Sequence, residues 1–287
     1  MKSFYNKLTY EREETENSYR RLGQTNQPNR TYIHLRACIQ NCISKLFRIL
    51  YNQLNGAIMC GRFTMAIDSE DLRTRLALGQ MPLDWEKRYN IAPSQDVPTV
   101  PFPESRDVVW MKWGLVPFWA KDPSIGYKMI NARAETVAEK PSYRNSFKNK
   151  RCLILADGFY EWRKDGKLST PFYFQLENGE PFAFAGLWDD WEPKGVSSMP
   201  GLPGLTSCTL ITTEANEDVK PIHPRMPVVL RKEVMWDWLE VDNPLALQSM
   251  LKPLPAGSLS RIQVSREVNS PQNQGEHLVE PSQETLF

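Results

Sequence analysis

Cys60, Asn131, Glu161 and His223 are the side chains in this sequence best suited to chemistry, and each sits in a distinctive local run. Cys60 lies in Met59-Cys60-Gly61-Arg62-Phe63, which reads like the start of a protein but falls far inside one. A methionine followed by a small residue is what a methionine aminopeptidase removes, and removal here leaves cysteine at a free N-terminus. Such a cysteine carries an amine and a thiol on adjacent carbons, a pair no internal cysteine offers. The amine condenses with an aldehyde to an imine, and the thiol closes on the imine carbon to give a thiazolidine ring. An α-amine titrates at about 7.7–8.0, so a useful fraction is nucleophilic near neutrality. The preceding 59 residues, if retained, tie the nitrogen into an amide and block this chemistry.

Three further runs could serve it. Asn131-Ala132-Arg133-Ala134-Glu135 offers an amide to orient a small polar substrate and a guanidinium to hold a phosphate or carboxylate bidentately. The same run reads equally as a helix N-cap with first-turn charges. In Asp157-Gly158-Phe159-Tyr160-Glu161-Trp162, a carboxyl between two aromatics ends an apolar strand, where desolvation raises its pKa into the range of a general acid or base. Alternation puts Tyr160 and Trp162 on one face and Glu161 on the other, and a solvated glutamate fits that pattern too. Pro221-Ile222-His223-Pro224-Arg225-Met226-Pro227 holds one of only three histidines between prolines that restrict the backbone, which suits either proton transfer or a structural turn. Two aromatic turns, Arg88-Tyr89-Asn90-Ile91-Ala92-Pro93 and Gly114-Leu115-Val116-Pro117-Phe118-Trp119, suit stacking on unpaired bases or simple core packing. Cys152 and Cys208 lie in apolar runs and read as inert buried thiols.

Apolar, β-rich runs at 95–102, 107–116, 152–162, 171–176, 181–189, 207–213, 226–230 and 260–265 are separated by Pro, Gly and Asn. Helical patches at 133–150 and 231–251 interrupt them, and a short helix follows Asp68 with Leu72 and Leu76 on one face. The pattern predicts an α+β fold, a mostly antiparallel curled sheet or open barrel with flanking helices. Residues 1–58 differ in character, with nine Lys and Arg against four Asp and Glu, leaving 26 against 30 in residues 59–287. A net-acidic body argues against wholesale binding along a phosphate backbone and confines any nucleic-acid site to a local groove. We read 1–58 as a leader or upstream extension, disordered or removed, with a short amphipathic helix over 35–54. His34, Cys38 and Cys42 have metal-ligand spacing but no fourth ligand, and read as incidental. Residues 59–270 form the catalytic domain and 271–287 a polar tail, with order fading from Glu267. Five cysteines without a disulfide framework point to a reduced, cytoplasmic protein, and no apolar run is long enough to span a membrane. No metal-ligand cluster is visible beyond residue 58, and no cofactor is expected.

The order Met-Cys-Gly-Arg-Phe, Arg-Tyr-Asn-Ile-Ala-Pro, Trp-Gly-Leu-Val-Pro, Asn-Ala-Arg-Ala-Glu, Gly-Phe-Tyr-Glu-Trp and His-Pro-Arg-Met-Pro resembles the SOS response-associated peptidase family, from Met59 to about Leu278. The family includes abasic-site processing proteins. The resemblance implies binding of single-stranded DNA and covalent trapping of the ring-opened abasic-site aldehyde on Cys60 as a thiazolidine; we expect a monomer. It assigns Asn131 to positioning, Glu161 and His223 to proton transfer, and Thr213 to a nearby hydroxyl. Arg62, Arg133 and Arg225 would hold phosphates, while Asn90, Pro93 and Trp119 would line a wedge at the missing base. Cys60 would be exposed by start at Met59 and trimming, or by autoproteolysis, and a lyase outcome would compete. Two other readings stay open. One is a cysteine peptidase acting on other proteins through Cys60, His223 and Asn131; the other is a non-enzymatic binder of damaged or single-stranded DNA.

Overall fold

The computed structural model describes residues 60–166, 168–193 and 204–282. The leader helix, the spacing of His34, Cys38 and Cys42, and Met59 itself lie outside the described residues.

Among the described residues, the runs of β-branched and aromatic residues form thirteen strands in two sheets. Five strands close into a ring: β3 (Asp96–Val100), β4 (Val109–Trp113), β10 (Leu205–Glu214), β9 (Phe182–Trp191) and β6 (Arg151–Ala156). The neighbours are antiparallel except β10 with β4. Three short strands, β5 (Asn131–Arg133), β11 (Arg225–Pro227) and β12 (Val229–Leu230), attach to β10 or β9. The second sheet is open and runs in the order β13 (Leu259–Gln263), β8 (Leu168–Leu176), β7 (Gly158–Asp165), β1 (Phe63–Met65), β2 (Arg88–Ile91). The α+β expectation of a curled, mostly antiparallel sheet holds.

Alternation along β7 and β8 gives the open sheet two different faces. Phe159, Phe172 and Phe174 enter the main core with Phe63, Trp113 and Phe184. Tyr160 and Tyr173 face the other way and pack with Val264, Val268 and Leu278. The 152–162 run therefore is not one strand. It breaks at Asp157, whose carboxylate accepts from Thr64 Oγ1 and from Ala66 N at 2.6 Å, so the chain leaves the ring and joins β1.

Helices are shorter than expected. α1 (Ser69–Leu76) follows Asp68 and buries Leu72 and Leu76, as anticipated. Of 133–150 only α2 (Arg144–Asn149) is helical, and Asn131 is in a strand paired with β10 rather than at a helix N-cap. The 231–251 patch divides into α3 (Asp237–Glu240) and α4 (Pro244–Met250), the latter capped by Asn243 Oδ1. Arg151 binds these pieces to the ring. Its buried guanidinium donates to the carbonyls of Phe147, Lys148, Trp238, Leu239 and Val241. The segment after Glu267 is not loosely ordered up to residue 282, because Val268 and Leu278 are fully buried.

Candidate active site

Cys60 lies three residues before β1, and β1 pairs with β7 through Phe63 and Phe159. That pairing carries Cys60 to Glu161, which faces the same side as Phe159. The Cys60 backbone nitrogen donates to Glu161 Oε1 at 2.9 Å. Cys60 is 4% exposed and Glu161 1%. Cys60 also has φ of 43°, a left-handed conformation uncommon for a residue with a side chain.

Burial dominates the electrostatics. It pushes the Glu161 carboxyl up from 4.5 to about 8, against hydrogen bonds from Cys60 and Trp162 that favour the charge. Burial likewise pushes the Cys60 thiol well above its usual value, and the charge and hydrogen bond of Glu161 push it further; Arg225 opposes this. The thiol is therefore neutral, and the carboxyl exchanges its proton near physiological pH.

The turn between Pro221 and Pro227 brings in His223. Its Nδ1 lies 4.0 Å from Glu161 Oε2 and 3.1 Å from both the carbonyl oxygen and the amide nitrogen of Arg225, so it donates to the first or accepts from the second according to the ring's tautomer. Burial holds His223 below the usual histidine pKa, so the ring is largely neutral at pH 7. Arg225, at the start of β11, pairs through both terminal nitrogens with Glu135 and donates to Thr212 O at 2.7 Å. Thr213 is buried on β10 opposite Met226. Asn131 and Arg133 lie on β5 beside Leu210 and Thr212, with Asn131 half-buried and Arg133 exposed. Glu135 was not singled out in the sequence; its acidic charge close after Arg133 was the available signal.

The other anticipated residues are Arg62, Asn90, Pro93 and Trp119. Arg62 and Asn90 belong to the opposite face of the open sheet: Arg62 Nη1 donates to Asn90 Oδ1 at 2.7 Å and to Val268 O at 2.6 Å. Pro93 is half-buried in the turn after β2. Trp119, 40% exposed, and Phe118, 50% exposed, border a surface hollow of about 550 Å³ with Pro141, Arg144 and Asn145. The loop that presents them is anchored by Phe118 N donating to the buried Asp189 and by Trp191 Nε1 donating to Ala120 O. Arg144 and Asn145 had no signal in a run that reads as ordinary polar helix. Among the described residues, no group of three His, Cys, Asp or Glu is placed to hold a metal, and no helix is long and apolar enough to cross a membrane.

The family model for SOS response associated peptidase (SRAP) matches residues 59–271, a span that contains Cys60, Asn131, Glu161 and His223. The chain belongs to the SOS response associated peptidase family. Family relatives include the abasic site processing protein YoqW of Bacillus subtilis, 44% identical over 228 residues that make up 77% of this chain and 99% of the relative. The abasic site processing protein YedK of Escherichia coli is 30% identical over 234 residues, 78% of this chain and 100% of the relative. The abasic site processing protein HMCES of Gallus gallus is 33% identical over 260 residues, 75% of each chain. A crystal structure of a Bacteroides thetaiotaomicron protein shares the fold, with TM-score 0.70 at 24% identity over 78% of this chain and all of that one.

Proposed function

We propose that this protein processes abasic sites in single-stranded DNA by trapping the ring-opened sugar aldehyde on Cys60 once its α-amine is free. The observation that carries this reading is the Cys60 nitrogen held 2.9 Å from a buried carboxyl whose pKa is about 8. An α-amine, ordinarily at about 7.7–8.0, placed within hydrogen-bond reach of this carboxyl forms a pair between which one proton can pass. The amine attacks the aldehyde carbon, and the carbinolamine loses water to give the imine, with Glu161 returning the proton that the leaving hydroxyl needs. The thiol then adds across the C=N bond, sulfur to carbon and proton to nitrogen, closing the thiazolidine. The net change is loss of one water.

His223, against the far oxygen of Glu161, serves as the second acid–base group. Asn131 positions the sugar beside Thr213. The exposed Arg133 and the half-buried Arg225 hold flanking phosphates, Arg225 with its charge partly balanced by Glu135. Pro93 and the Phe118–Trp119 edge form the wedge that fills the gap in the stack. Arg62 and Asn90, turned away from Cys60, support the sheet rather than the DNA.

A peptidase acting on other proteins needs a thiolate nucleophile, and the raised thiol pKa counts against it. Exposure of the amine is part of the proposal, by trimming after Met59 or by attack of Cys60 on its own preceding carbonyl, in which the thiol passes its proton to the adjacent Glu161 and water then hydrolyses the thioester. The test is a denaturing gel of Cys60 variants with an oligonucleotide bearing one abasic site, with and without borohydride. Cys60→Ser and Cys60→Ala both keep the α-amine, so each should give an adduct only when borohydride reduces its imine, and each should lose the adduct that is stable without borohydride but keep non-covalent binding. A stable adduct in Cys60→Ala would overturn the reading.

A further inference from the structure

We infer that the segment Arg266 to Ser282 is a strap that sets the separation of Cys60 and Glu161 from behind the sheet, with the Trp162–Asn269 contact as its positioning link. The inference rests on the proposed roles of those two residues. The β1–β7 ladder registers Phe63 with Phe159 and Thr64 with Gly158, then stops. Beyond it Tyr160 N donates to Arg62 O at 3.0 Å. The ladder thus ends before it reaches the reacting pair, and something else must hold the ends of the two strands together.

The strap does so on the face opposite Glu161. Arg62, two residues after Cys60, donates to Val268 O at 2.6 Å. Trp162, immediately after Glu161, donates from Nε1 to Asn269 Oδ1 at 2.7 Å. Tyr160, immediately before it, is fully buried against Val268 and Leu278. Asn90 Nδ2 secures the strap itself, donating to the carbonyls of Val268, Ser270 and Asn273. One segment therefore grips Arg62, two residues downstream of Cys60, and the residues on both sides of Glu161. It touches neither reacting group, so its effect must pass through backbone position.

The test uses the full chain with Asn269→Ala, Asn269→Asp and Leu278→Ala. Asp keeps an oxygen acceptor for Trp162 Nε1, so it serves as the conservative rescue. Two rates are read beside the unfolding midpoint: native-state alkylation of the Cys60 thiol by iodoacetamide, located by peptide mass, and single-turnover adduct formation at saturating abasic single-stranded DNA. Loosening the strap should raise Cys60 alkylation about fivefold or more through local opening, with Cys152 and Cys208 still protected. It should slow adduct formation roughly ten- to a hundredfold, as misplacement of reacting groups does, without moving the DNA concentration at half-saturation. Asn269→Asp should restore both rates.

Unchanged Cys60 alkylation in Asn269→Ala and Leu278→Ala would overturn the strap. So would a defect in Asn269→Ala that Asn269→Asp fails to repair. Because alkylation needs no DNA, wild-type protein that forms no adduct would refute the proposed function while this arm still decides on the strap.

Discussion

Glu161→Gln isolates the proton from the shape of the site. The amide keeps an oxygen to accept from Cys60 N but neither gains nor loses a proton. With the Cys60 nitrogen in a peptide bond, the folded carboxyl titrates at about 8 against 4.5 for its ordinary value. The sign follows directly: the folded state holds the proton more tightly than the unfolded one. This contribution to stability is therefore greatest below pH 4.5, falls as pH rises through the window to about 8, and is flat above. The full fall is roughly 5 kcal/mol, at about 1.4 kcal/mol for each pH unit the window spans. Denaturant titrations from pH 4.5 to 9 on a chain with Cys60 blocked should show this decline in wild type, superimposed on other groups, and a curve flatter by that amount in Glu161→Gln. In the processed chain the carboxyl shares a proton with the free amine, and the variant should form adduct about 10²–10⁴-fold more slowly, the usual range for a general acid–base group. Equal pH dependence of stability in the two proteins, together with an adduct rate within about threefold of wild type, would refute the reasoning.

Arg151→Ala removes the donor from five carbonyls at the junction of α2, α3 and β6, three of them in buried bonds, and should cost about 3–5 kcal/mol, seen as a lower denaturant midpoint. Arg151→Lys should recover little of it, since an ammonium cannot reproduce the guanidinium fork. Gly158→Ala would bring its Cβ to 2.1 Å from Tyr173 Oη in the interior, so a loss of about 1–3 kcal/mol is expected by thermal melting. His223→Ala should slow adduct formation while sparing non-covalent DNA affinity, read by anisotropy at pH 7 with the same oligonucleotide.

The strands were legible where apolar β-formers run between Pro, Gly and Asn, and the Asp68 helix was legible from its acidic first turn. β1, β2 and β5 were not, because three- and four-residue strands such as Phe63–Met65 carry no periodicity of their own and exist through pairing with β7 or β10. The break at Asp157 was hidden for a related reason, since it depends on Thr64 and Ala66, about ninety residues away in sequence. At the site, the burial of Glu161 could be argued from its flanking aromatics and the preceding apolar strand. Its approach to Cys60, 101 positions away, could be inferred only through family resemblance. Arg62 and Arg225 show the limit of reading charge from sequence. Both look like phosphate ligands in one dimension, and the sequence does not show the protein partners the fold also gives them, Asn90 and Val268 for Arg62 and Glu135 for Arg225. The tail after Glu267 looked solvent-bound because it is polar overall, but two well-spaced apolar residues, Val268 and Leu278, suffice to dock it.

The most direct test is the intact mass of the purified protein, alone and after incubation with a single-stranded oligonucleotide carrying one abasic site. The account requires a chain that begins at Cys60 and gains the oligonucleotide's mass less one water. A chain that retains the residues before Cys60 and never shifts in mass would contradict it.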